Sequence, residues 1–497
     1  MSSKTTRPTS TRPTSDSIEA PTKIAYWGCL AICVNNLTGP GMLDLPATFQ
    51  ESGVIPTICV IFLVSILSSL TSLSLANLIA KKPNNSNFRH EIEYSDLFGY
   101  ERLTHFLFFC TIMSQCIASI VNVAQVIDAF IATLAPRTYA VQFAPGPEFV
   151  AWQEGECDHG KGYHGKCLPF QKDLYNQGFI FTLGYAVATV VLLPLGLMNL
   201  TENVSSQLLS FILLLVFLAE FVVAFIIQGD DVSHVPLFGT NYFSLFGVVF
   251  FNFALTPTIP SLLHSKSEDT SIYKVIFHSN ILVVSLYVVL GYFGADSIPK
   301  VPSNFLTYLS QGRLGFETGI VSDLFSFFII GLGIPLFQVV MRNNLVNTRM
   351  VTERTGKFVT VIVPWTLSWF LYQGDAVVDV LSWTGLVLNG IVGYLMPLYA
   401  AYSFYSRADS ESEHQERSRL LSDDNPGYSY GVGATPPVSI LPKFIKPRIA
   451  PFGRVSVFPK WIVKSQQQEK TATMILGLLT TAIVVLAIIG KIITGGQ

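Results

Sequence analysis

Apolar stretches of roughly twenty residues recur along almost the whole chain, separated by polar turns, and each is long enough to cross a lipid bilayer. Eleven such segments are predicted, at 24–49, 54–79, 103–135, 175–197, 204–227, 241–263, 272–294, 319–341, 358–373, 376–404 and 472–494. The ninth is short, and its boundary with the tenth falls at "YQGD" (372–375). Two of the eleven carry residues that a plain spanning helix does not want. The first contains "NNLTGPGMLDLPATFQESG" from Asn35, and the sixth contains "FFNFALTPTIPSLLHSKSE" (250–268).

Lipid supplies no hydrogen bonds, so peptide groups released by a break must be satisfied inside the protein or in a wet cavity. Gly39, Pro40 and Gly41 remove a donor and relax the backbone, which predicts a few unwound residues. Freed carbonyls there are candidate cation ligands, and the resumed helix offers amide hydrogens to a carboxylate. A proline kink without a ligand is the plainer reading. Asn35, Asn36 and Thr38 argue against it, because a kink needs few side-chain dipoles. In the sixth segment Pro257 and Pro260 follow Asn252 and Thr256. If the chain is two halves of five spans, the two breaks occupy equivalent places, which is the sequence signature of a transporter's midplane binding site.

Composition agrees with a membrane protein. The 497 residues are 50% hydrophobic and only 13% charged, with a mean hydropathy of +0.46. A soluble chain normally carries about twice that charged fraction. The net charge of −2 gives no basic excess for nucleic acid. With the N-terminus in the cytosol, 24 of the 31 Lys and Arg residues fall on the cytosolic side, which sets the predicted orientation and puts the C-terminus outside or in a lumen. The predicted organisation is a disordered cytosolic tail (1–22), a ten-span core (23–404), a disordered cytosolic insertion (405–471), and the eleventh span with the C-terminus (472–497). Four N-x-S/T sequons, at Asn36, Asn84, Asn199 and Asn203, fall in spans or on the cytosolic side, so none is expected to carry a glycan.

Five of the seven cysteines lie in spans, where a thiol behaves as a small hydrophobe. Cys157 and Cys167 lie in the one long non-cytosolic loop, where a disulfide is permitted. His159 and His164 lie between them, so a Cys2His2 zinc site is the rival reading, and free thiols are a third.

Lone ionisable groups in spans are functional candidates by default. Here they are Asp44, Asp128, Glu220, His278 and Asp323. Asp128 and Asp323 lie nearer span ends, where interfacial solvation is the plainer explanation, and Asp44 can sit at the mouth of the resumed first helix. No cofactor site, metal cluster, nucleophile elbow or phosphate loop is visible beside the spans, which argues against an enzyme.

At these residues the chain resembles the amino acid/auxin permease family of secondary transporters. "GPGMLDLPATFQESG" is similar to that family's first-span signature. "LPLGLMNLTENVSSQLLSF" (193–211), "FFNFALTPTIPSL", "SLYVVLGYFGADSIPKVPSNFL" (285–306) and "IPLFQVVMRNNLV" (334–346) resemble its later motifs, in order from about residue 24 to 405. The resemblance implies an all-α polytopic protein with a LeuT-type inverted repeat of five plus five spans, broken in spans one and six, with an eleventh appended. It implies coupled amino-acid transport by alternating access.

Carried over by position, the substrate site is Asn36, Thr38, Gly39 and Gly41 with Phe253, Ala254 and Thr256. Sodium-coupled members are expected to place a hydroxyl in the eighth span just before its proline. Here "IIGLGIP" puts Gly331 and Gly333 there, with Ser326 the nearest hydroxyl, so protons are favoured over sodium. The coupling-ion candidates are Asn35, Asp128, Glu220, Asp323 and Ser326. A lining of Phe250, Phe251, Asn252, Phe253 and Thr256 favours a neutral amino acid; Glu220, if it faces the pocket, admits a cationic one.

"ERSRLL" (416–421) in the insertion fits the acidic dileucine pattern, Glu416 with Leu420 and Leu421, read by sorting adaptors. If read, it favours a vacuolar or lysosomal membrane over the plasma membrane. The alternative to a carrier is a nutrient receptor that keeps the pocket and signals through the insertion.

Overall fold

A computed structural model describes residues 23–81, 101–135, 137–143, 146–153, 170, 180–228, 234–301, 305–310, 312, 314–372, 383–406, 458 and 465–493. The predicted tail, Cys157 and Cys167, and the motif at Glu416, Leu420 and Leu421 lie outside these residues.

The described chain is almost entirely helical, as the repeated apolar stretches require. Eight helices are long and apolar enough to cross a membrane. They are Val54–Ile79, Arg102–Ala132, Val204–Gln228, Leu245–Ser265, Ile272–Asp296, Phe316–Val346, Gly385–Ser406 and Gln467–Ile493. The other three predicted segments occur as broken or shorter helices: Tyr26–Leu37 with Leu45–Ser52, Leu183–Gly196, and Glu353–Lys357 continuing to Val363–Phe370. All eleven predicted segments therefore have a helical counterpart, and the all-α polytopic fold expected from the sequence is the one observed.

Burial ranks these segments from centre to rim. The third, sixth and eighth are 72%, 78% and 83% buried, against 39% for the second and fifth and 22% for the eleventh. The exposed sides carry large apolar residues, among them Phe62, Ile66, Ile212, Val216, Leu478 and Leu486. That is what a lipid-facing rim requires, since no water competes for those surfaces. The first segment packs on the fifth and seventh.

The fourth segment corrects the sequence reading. A helix is expected from residue 175, but Ile180–Thr182 is a strand and the helix starts at Leu183. Thr182 caps it, its hydroxyl accepting from the Tyr185 N–H at 3.1 Å. This strand is the third of an unpredicted antiparallel sheet with order β2-β1-β3, from Arg137–Gln142 (β1), Glu148–Gln153 (β2) and Ile180–Thr182 (β3). β1 is central, with Arg137 opposite Gln153 and Ala140 opposite Thr182.

Three segments contain π-helical turns: Ser326–Gly331 in the eighth, Phe358–Ile362 in the ninth and Gly385–Leu395 in the tenth. Such turns release carbonyls from the regular ladder and are frequent at functional sites.

Candidate functional site

Both expected interruptions are present. The first helix ends at Leu37, with the Thr38 N–H and hydroxyl both turned back on the Val34 carbonyl, at 2.8 and 2.9 Å. Gly39 is extended, Pro40–Asp44 forms a tight 3-10 turn, and a regular helix resumes over Leu45–Ser52. The sixth segment is helical over Phe243–Asn252, breaks at Phe253–Leu255, turns through Thr256–Thr258 and resumes over Ile259–Ser265.

The released carbonyls are largely claimed by side chains from other segments. The Tyr287 hydroxyl, on the seventh, donates to the Leu37 carbonyl and approaches that of Asn252 at 3.4 Å. Tyr394, on the tenth, donates to Phe253 O at 3.0 Å, and Ser68, on the second, donates to the same oxygen at 2.8 Å. Asn252 Nδ2 donates to the Gly41 carbonyl at 2.9 Å. Asn36 Nδ2 donates to the Ala254 carbonyl at 3.0 Å, while Asn36 Oδ1 accepts from the Thr258 hydroxyl at 3.1 Å. The two breaks thus satisfy one another, as the absence of water in lipid demands.

Gly41 is where they meet. A Cβ there would stand 2.5 Å from Asn252 Oδ1 and 2.8 Å from Phe251 Cδ1, so only glycine permits the approach. Gly39 is the opposite case: a Cβ there would meet nothing within 4 Å. It borders a small cavity. From the two breaks the lining comprises Asn36, Leu37, Gly39, Phe251 and Asn252; the third segment adds Gln115 and Ser119, and the eighth adds Phe337. Among the described residues, Asn252 Oδ1 and Ser119 Oγ are buried without a hydrogen-bond partner. A buried polar atom left unsatisfied is costly, so these two atoms mark where a ligand or water gains most.

Of the seven substrate residues expected from sequence, Asn36 and Gly39 line the cavity. Gly41 forms the contact between the breaks. Thr38 closes its own helix end. Phe253 is buried edge-to-face on Tyr287, with ring centroids 5.3 Å apart. Ala254 offers its carbonyl to Asn36, and the Thr256 hydroxyl lies 3.3 and 3.2 Å from those of Thr71 and Ser72 on the second segment. Gln115, Ser119 and Phe337 were not expected. The signal available for the first two was a pair of polar residues four apart, hence on one helix face.

The coupling-ion candidates occupy separate places. Asn35 Nδ2 donates to the carbonyl and to Oε1 of Gln207 on the fifth segment, at 2.8 and 2.9 Å. Gln207 Nε2 in turn reaches the Leu332 carbonyl on the eighth at 2.7 Å. The Leu332 carbonyl, three residues before Pro335, is therefore already engaged by an amide. Glu220 Oε1 accepts from the Thr318 hydroxyl at 2.8 Å, while its Oε2 is buried without a partner among the described residues. Asp323 and Ser326 are buried on the eighth segment.

Asp128 stands in a different cluster. Its carboxylate accepts from the Thr138 hydroxyl at 2.9 Å, the Gly184 N–H at 2.8 Å and the Tyr372 hydroxyl at 2.6 Å. It thereby joins the third segment, the sheet, the fourth helix and the end of the ninth. Among the described residues no group of three or more His, Cys, Asp or Glu side chains is placed to hold a metal ion.

A family model described as "Transmembrane amino acid transporter protein" matches residues 22–312, a stretch that contains both breaks. A solved structure titled "Inward facing conformation of Mhp1" is similar over 79% of this chain and 80% of that chain, with 12% sequence identity and a TM-score of 0.48. No curated protein matches the chain.

Proposed function

The chain belongs to the transmembrane amino acid transporter family, and from that premise we propose that it carries a neutral amino acid across its membrane by alternating access. The observation that carries this reading is the cavity enclosed between two broken helices. The substrate's ammonium meets the unsatisfied Asn252 Oδ1, and its carboxylate meets peptide N–H groups around Gly39 and Gly41. The side chain lies against Phe251 and Phe337. Among the described residues no charged one lines the cavity, so a charged side chain would find no counter-ion there.

Alternating access rests on the same interlock. Asn36 and Asn252 tie the first and sixth segments together, so both move as one body around the bound substrate. For the driving ion, protons are favoured over sodium. The Leu332 carbonyl, beside the place where a sodium ligand is expected, is taken by Gln207, and Gly331 and Gly333 bring no hydroxyl. The relay candidates are Glu220, Asp323 and Asp128; Glu220 and Asp323 come first because each keeps a buried oxygen without a partner among the described residues. A vacuolar or lysosomal membrane follows if the 416–421 motif is read by sorting adaptors.

The test is uptake into proteoliposomes across a panel of amino acids, with proton and sodium gradients imposed separately. Proton-driven uptake of neutral amino acids is expected. Binding without flux would favour the receptor reading, and neither binding nor flux would remove both.

A further inference from the structure

We propose that Gln115 and Ser119 select the substrate's side chain, and that the preferred amino acids are uncharged ones whose side chain ends in a hydrogen-bonding group. This deepens the transport reading above and rests on it.

The two residues lie four apart on the third segment, so they project one above the other from one helix face. Both border the cavity. Ser119 is 1% exposed and Gln115 8%, so water is largely excluded from both. Other buried hydroxyls on the same helix solve this by back-bonding: Thr111 donates to the Leu107 carbonyl at 2.7 Å and Ser114 to the Thr111 carbonyl at 2.8 Å. Ser119 does not, and its Oγ has no partner among the described residues. A hydroxyl held unsatisfied at the wall of a cavity is a vacancy for an incoming donor or acceptor.

Asn252 Oδ1 is the second such atom among the residues that line the cavity. An acceptor-only oxygen suits the ammonium that every amino acid has, which fixes the substrate's backbone at the breaks. The variable group then extends towards the third segment. There it passes between Phe251 and Phe337 and ends at Ser119 and Gln115. An amide or hydroxyl terminus satisfies both groups. A branched aliphatic terminus of the same size fills the space and leaves them dry. Sites built to bond a polar group discriminate strongly against the analogue that lacks it, because their own buried atoms are then unpaired.

The experiment compares asparagine with leucine, which are close in size, by kcat/KM for uptake in proteoliposomes of the full-length protein. The wild type should favour asparagine by about tenfold or more, the factor expected for one buried polar atom left unpaired. Ser119→Ala and Gln115→Met, each a small change in volume, should each move the ratio towards leucine by about tenfold. The inference is overturned if the wild type prefers leucine, or if the ratio is unmoved in the variants. In either case uptake of amino acid persists and the transport reading survives. No uptake of any amino acid by a folded wild type would instead overturn both.

Discussion

Asn252 Nδ2 lies 2.9 Å from the carbonyl oxygen of Gly41, so the broken end of the sixth segment is bonded directly to the broken end of the first. The oxygen of the same amide has no hydrogen-bond partner among the described residues, and Asn252 lines the cavity. One side chain therefore both holds the breaks together and offers the substrate an acceptor. Asn252→Ala removes both roles. It should cost about 1–2 kcal/mol of stability by stranding the Gly41 carbonyl, and uptake should fall further than that loss of folded protein explains. Thermal unfolding in detergent, read beside uptake per folded molecule, separates the two effects.

Gly39 and Gly41 should behave differently although they stand two residues apart. The space beside Gly39 is open and its backbone is extended, at φ −74°, so a leucine there fills the cavity without straining the chain. Gly39→Leu should fold normally and lose substrate binding. Gly41→Ala drives a methyl into Asn252 and Phe251 and should destabilise the protein by about 1–3 kcal/mol. Equal destabilisation by the two would show that Gly39 does not border a hollow.

How much of this was legible in the sequence depended on range. The breaks were readable because Gly-Pro-Gly, and Pro257 and Pro260 a few residues after Asn252, act locally on the backbone. The groups that satisfy them were not. Tyr287, Tyr394, Ser68 and Gln207 look like ordinary members of their segments, and only the packing of distant helices brings them to the carbonyls. The sheet carried a local signal that went unread. "RTYAVQ" and "EFVAWQ" are two six-residue runs of strand-forming residues separated by "FAPGP", the pattern of a hairpin. The start of the fourth helix was misplaced for the same reason, since apolar Ile180 and Phe181 belong to that sheet rather than to the helix.

Gln207 links three segments through Asn35 and the Leu332 carbonyl. Gln207→Leu keeps the volume roughly but strands the Leu332 carbonyl and takes one of two acceptors from Asn35 Nδ2. It should destabilise the protein by about 1–3 kcal/mol. It should leave the ratio of proton-driven to sodium-driven uptake unchanged, because the proposed relay does not pass through it. A variant that gains sodium dependence would show instead that this amide occupies a latent cation site.

Asp128 has three donors and sits away from the cavity. Asp128→Asn turns a donor towards the Thr138, Gly184 and Tyr372 groups and should cost about 1–3 kcal/mol, read as a lower unfolding temperature. Its KM for the transported amino acid should match the wild type. A raised KM with unchanged stability would place Asp128 in the binding path.

The central claim is that a free amino acid sits between the two breaks. An electron cryo-microscopy map of the purified protein with a saturating transported amino acid tests it most directly. Density bounded by Gly39, Asn252 and Ser119 is the expected result. Density elsewhere, with this hollow closed and its walls in contact, would contradict it.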